Sequence, residues 1–155
     1  DDIENIDFSA LKSLNPDIVG WISSPGTVIN YPIVKGSDNS FYLTHTFDKT
    51  QNKNGCLFID RENEADFSDD NTIIYGHNIT GGRMFGALLY YTDKEFYENH
   101  KFIEFNSRYK KGKYENSIKG SVRKKIKSLK RVSTLFQEDI LIEEDFKKIK
   151  LYLDD

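Results

Sequence analysis

Short runs of β-branched and aromatic residues, each closed by a turn signal, constrain this chain more than any other feature. IVGWI (18–22) and VINYPIV (28–34) are two such runs separated by Ser24-Pro25-Gly26, and that spacing predicts consecutive strands joined by a tight turn. CLFID (56–60) and NTIIYGH (71–77) follow the same pattern across a polar stretch rich in Asp, Glu and Asn. KFIEF (101–105) alternates as a further strand. Pro32 has no N–H to give a ladder, so it is expected at an edge or a bulge. Strands this short, with only small helices between them, predict a β-barrel or an α+β domain rather than a βαβ sheet.

Helical signals sit between and around these runs. Asp7 is an N-cap candidate ahead of Ala10, Leu11 and Leu14 at helical spacing, with Asn15-Pro16 as the stop. DNSFYLTHTF (38–47) begins on a second cap candidate, Asp38, and reads as a helical turn or a loop packed on the core. Met84, Phe85, Leu88 and Leu89 recur at helical spacing. After Tyr114 the pattern changes: Val122, Ile126 and Leu129 mark a basic helix, and Phe146, Ile149 and Leu153 mark a second helix from near Glu143. The chain is therefore expected to finish in helices. With 155 residues it is long enough for one domain.

Charge and sulfur narrow the chemistry. No apolar run reaches the roughly 18 residues of a membrane-spanning helix, and DDIENIDF at the N-terminus has neither the basic nor the apolar region of a signal peptide. Cys56 is the only cysteine, which excludes an intramolecular disulfide and zinc sites built on cysteine pairs. The net charge of −3 conceals an asymmetry, because Glu115 is the only acidic residue between Arg108 and Arg131. The basic face of 119–131 has the charge that an anionic lipid surface or nucleic acid requires. A solvated helix packed by its apolar stripe explains the same residues, and no nucleic-acid partner is expected.

His77 is the best catalytic candidate. It follows a strand and Tyr75-Gly76, with Gly81-Gly82 just beyond, so an imidazole stands on rigid structure at the mouth of a loop. His45 and His100 lack such a setting. Cys56 heads an apolar strand, where a free cysteine behaves as a small core hydrophobe rather than a nucleophile.

NPDIVGWISSPGTVINYPIV, DNSFYLTHTF, NGCLFID, NTIIYGHN and MFGALLYY resemble, in that order, the successive motifs of class B sortases, over about residues 8–106. The resemblance implies a mainly β fold, a sortase-like β-barrel with an N-terminal helix and flanking helices. It implies anchorage at the extracellular face of a Gram-positive membrane through a segment upstream of this domain. It also implies a cofactor-free chemistry. A cysteine thiolate attacks the carbonyl after threonine in the sorting-signal peptide of a surface protein or pilin, histidine handles protons and arginine stabilises the oxyanion. An amine of the peptidoglycan precursor then resolves the thioacyl intermediate.

By its place in YGHN, His77 matches the family's catalytic histidine, while Asn39, Leu43 and Tyr75 resemble residues lining the sorting-signal groove. The family's nucleophile ends a late strand in a Thr-Leu-Ser-Thr-Cys-like motif, with an arginine on the next strand, and neither motif occurs in this chain. The late strands are thus expected to be missing or replaced by helix, leaving a strand edge that the terminal helices or a second copy of the chain would cover. Two readings follow: a sortase-related domain that does not transpeptidate as it stands, or a non-catalytic module that binds sorting signals or envelope components.

Overall fold

The computed structural model describes residues 6–100, 102–107, 111–115, 140–144 and 147–154. Asp7 opens the first element as expected: its carboxylate accepts from the Ala10 amide at 3.1 Å and caps helix α1 (Phe8–Leu14), which ends on an extended Asn15. The chain then forms β1 (Ile18–Ser23), β2 (Asn30–Val34), a 3-10 turn at Phe41–Leu43, β3 (Leu57–Ile59) and β4 (Asn71–Ile79). After these come β5 (Arg83–Met84), a 3-10 segment at Phe85–Thr92, α2 (Lys94–Asn99), β6 (Phe102–Ser107), β7 (Lys111–Glu115), β8 (Ile140–Glu144) and β9 (Lys147–Asp154). Among the described residues no helix is long and apolar enough to cross a membrane.

These strands make one mainly β sheet in the order β7-β6-β1-β2-β3-β4-β9-β8, with β5 as a flap on β4. No ladder between β7 and β8 closes it among the described residues, so it is an open form of the expected barrel. Most neighbours are antiparallel, but β2–β3 and β4–β9 are parallel. Parallel strands are normally covered on both faces and read as unbroken apolar runs, and β3 obeys this. Leu57 and Ile59 enter the main core with Ile22, Ile33, Ile74, Phe85 and Leu88, while Phe58 points the other way into a smaller cluster with Ile18, Val34, Tyr42 and Cys56. Burying each such aliphatic side chain contributes about 1.5–3 kcal/mol.

In β1 the strict alternation fails. Val19 and Ile22 share the main core although three residues apart, because the β1–β2 register shifts between Ile18 and Gly20 and a bulge resets the parity. Pro32 is paired with Trp21 inside the sheet, not on an outer strand. Yet β3 pairs only with Ile33 and Val34, so the missing Pro32 donor falls where that ladder has already ended.

The C-terminal part departs most from the sequence-based expectation. The helix expected from near Glu143 to Leu153 is absent among the described residues: Ile140–Glu144 and Lys147–Asp154 form the antiparallel pair β8–β9, and β9 lies parallel to β4 from Asn71↔Lys148 to His77↔Asp154. Ile149, Leu151 and Leu153 alternate as well as Phe146, Ile149 and Leu153 recur helically, and the open side of β4 decides in favour of alternation. That pairing also covers the edge expected to lie bare. The basic helix expected around Val122, Ile126 and Leu129 lies outside the described residues.

Candidate active site

His77 does not stand past the end of a strand. It lies within β4, which runs on to Ile79 before a tight hairpin through Gly81 and Gly82 leads into β5. Residues alternate across β4. Ile74 and Gly76 face the main core, where a Cβ on Gly76 would meet Phe85 Cδ2 at 2.2 Å, whereas Tyr75 and His77 occupy the opposite face. There His77 lines a small recess with Leu43, Tyr42, Asn54, Cys56 and Phe58. The recess holds about 10 Å3, at most the room for a single water, so as it stands it is packed contact rather than a binding cavity.

The strap over this recess is held from several sides. Asp38 caps the 3-10 turn through the Ser40 and Phe41 amides at 2.9 and 2.8 Å. Tyr42, almost wholly buried, donates its hydroxyl hydrogen to Asp17 at 2.7 Å and accepts from Asn15 at 2.9 Å, and its carbonyl accepts the Cys56 amide at 3.1 Å. Burial pushes the Tyr42 hydroxyl above its ordinary pKa. Leu43 remains exposed at the rim beside Phe41.

The sequence-predicted site residues fall into two groups. Leu43 meets His77 at the recess. Asn39 and Tyr75 instead converge on Asp60: the Asn39 amide donates to Oδ2 at 3.0 Å, the Tyr75 hydroxyl donates to the same oxygen at 2.6 Å, and the Glu62 amide donates to Oδ1 at 2.9 Å. Partial burial opposes ionisation of Asp60, but these donors outweigh it and hold the carboxyl below its ordinary value. Asn39 also accepts from the Arg61 amide at 2.8 Å, so its amide ties the 38–43 strap to the end of β3. Asp60 was missed as the hub of this site. The available signal was a carboxylate closing the apolar run CLFI, where a short acceptor collects nearby donors.

Cys56 is buried in the smaller core, and burial drives its thiol up to about 12. Nucleophilic thiols are thiolates; at that value about one in 10⁵ is ionised at pH 7. The two other histidines are structural, as expected. His45 stacks on Phe41 with ring centroids 3.8 Å apart, and His100 stacks on Phe96 at 4.1 Å while its Nδ1 donates to the Phe96 carbonyl at 2.7 Å.

No family model matches the chain. It is 41% identical over 111 residues to sortase B of Staphylococcus aureus (strain NCTC 8325 / PS 47), covering 72% of this chain and 45% of the relative. It is 42% identical over 97 residues to sortase B of Listeria monocytogenes serovar 1/2a (strain ATCC BAA-679 / EGD-e), covering 63% of this chain and 39% of the relative. Among solved structures, a Staphylococcus aureus sortase B-substrate complex superimposes with a TM-score of 0.67 at 41% identity, over 70% of this chain and 50% of the other. The chain thus spans less than half the length of the curated relatives it matches.

Proposed function

Because the chain belongs to the class B sortases, we propose that it is a domain of the cell-wall anchoring machinery of a Gram-positive bacterium, working at the extracellular face of the membrane. His77 is its proton-handling group. The ligand is the sorting-signal peptide of a surface protein or pilin, laid along the rim formed by Leu43 and the exposed Phe41, with Asn39 and Tyr75 shaping the strap through Asp60. A peptidoglycan-precursor amine is the acceptor in the complete reaction.

The chain on its own does not perform the acyl transfer. One observation carries this: its single thiol, Cys56, lies in the core at a pKa of about 12. Burial deprives it of the thiolate that attack requires, and the 10 Å3 recess beside it leaves no room for a peptide carbonyl to reach the sulfur. A library of threonine-containing sorting peptides, incubated with the chain and triglycine, checks the reading. Saturable binding with no cleaved or transferred product is the expected result. Product that disappears in Cys56→Ala would overturn it and make Cys56 the nucleophile. Failure of every peptide to bind would remove the sorting signal as ligand.

A further inference from the structure

Beyond His77 the next residue of β4, Asn78, turns to the opposite face of the strand, and a second and much larger cavity opens there. It is a cleft of about 600 Å3 between the β4–β5 hairpin, the 3-10 segment Phe85–Thr92 and α2. That volume lies within the range of small-ligand sites. His77 lines the other recess and takes no part in it.

The lining is one-sided in charge. Asp93 supplies a carboxylate, and among the described residues no lysine, arginine or histidine lines the cleft. One oxygen of Asp93 accepts the Phe96 amide at 2.8 Å as the cap of α2, which fixes the carboxylate at the wall. Around it stand Leu89 and the rings of Tyr90 and Phe96, whose centroids are 5.6 Å apart and whose planes are inclined at 56°. Tyr90 is 49% exposed, among the most exposed large apolar side chains described. The bare backbone of Gly82 accommodates its hydroxyl, since a Cβ there would lie 2.2 Å from Tyr90 Oη.

An anionic ligand is repelled by Asp93, the one charged side chain among the described lining residues. A neutral donor gains a hydrogen bond from the carboxylate but no net charge attraction. A cation gains Coulomb attraction from Asp93 and the attraction of the two ring faces, each contact of the latter kind contributing about 0.5–1 kcal/mol at an exposed site. We propose that the cleft binds a small organic cation, a primary ammonium on a short aliphatic stem such as that of a lysine side chain, with the stem along Leu89 and Phe96. This site stands independently of the reading of His77.

Titration of the full chain with n-butylammonium chloride, followed by amide NMR, tests it, with n-butanol as the neutral control. The amides of Asn78, Gly81, Gly82 and Gly86 are expected to shift saturably with butylammonium and not with butanol, and the affinity to fall with added salt. Asp93→Asn keeps the cap, because asparagine caps as well as aspartate, and is expected to raise Kd at least fivefold. Tyr90→Leu, which leaves the cap untouched, is expected to raise it about threefold. Equal shifts with butanol, unsaturable shifts, or an unchanged Kd in Asp93→Asn would each overturn the assignment.

Discussion

Replacing Gly55 with alanine separates two costs that a left-handed glycine usually combines. Gly55 has φ +61°, and Gly81 has φ +90°. An alanine in this region costs about 1 kcal/mol at either position. Only at Gly55 is there a collision: its Cβ would lie 2.2 Å from the Tyr42 carbonyl oxygen and 2.7 Å from that of Leu43, whereas at Gly81 nothing lies within 4 Å. The atoms struck are backbone and cannot rotate aside. The 41–43 strap must therefore lift, stretching the bond from the Cys56 amide to the Tyr42 carbonyl and moving Leu43 from the recess of His77. Overpacking of this kind adds about 1–3 kcal/mol. The expected destabilisation is thus about 1 kcal/mol for Gly81→Ala and about 2–4 kcal/mol for Gly55→Ala. Urea unfolding followed by fluorescence of Trp21, the single tryptophan, reports both. Equal midpoint shifts for the two variants would refute the collision and place Gly55 in open space.

Three further outcomes rest on the same strap. Iodoacetamide is expected to leave Cys56 unmodified in the native chain at pH 8 and to label it fully in urea; rapid native labelling would contradict its burial. Because the folded thiol stays protonated up to about 12 while the unfolded one ionises near 9.0, stability is whole below pH 9 and is lost as pH climbs from 9 toward 12. The loss amounts to about 2 kcal/mol by pH 10.5. Cys56→Ala should unfold with a shallower alkaline decline, and an identical decline would exclude the thiol as its source. Tyr42→Phe removes the bond to Asp17 and one partner of buried Asn15, so a loss of about 2 kcal/mol in urea unfolding is expected. A change below about 0.5 kcal/mol would mean that water replaces both partners.

The contrast between β4 and β9 explains which parts of this molecule are legible in its sequence. In β4 the run TIIY is too short and too β-branched for a helix, and the Gly pair after it ends the strand. Local chemistry alone leads to the strand that carries His77. In β9 the residues Ile149, Leu151 and Leu153 satisfy a strand, while Phe146, Ile149 and Leu153 satisfy a helix, and propensity does not separate them. The decision lies 77 positions upstream, in the unpaired side of β4, where backbone groups of Asn71 to His77 need partners and β9 supplies them in register. The same distinction runs through the site. Residue type alone singles out His77, because few side chains titrate near neutrality, but its place within β4 rather than past its end is not legible. Nor is Asp60, because its role consists of donors brought from Asn39, 21 positions before it, and Tyr75, 15 positions after it. Asn39 and Tyr75 thus act at one remove: through Asp60 they tie the strap that carries Leu43 to the end of β3, beside the strand that carries His77.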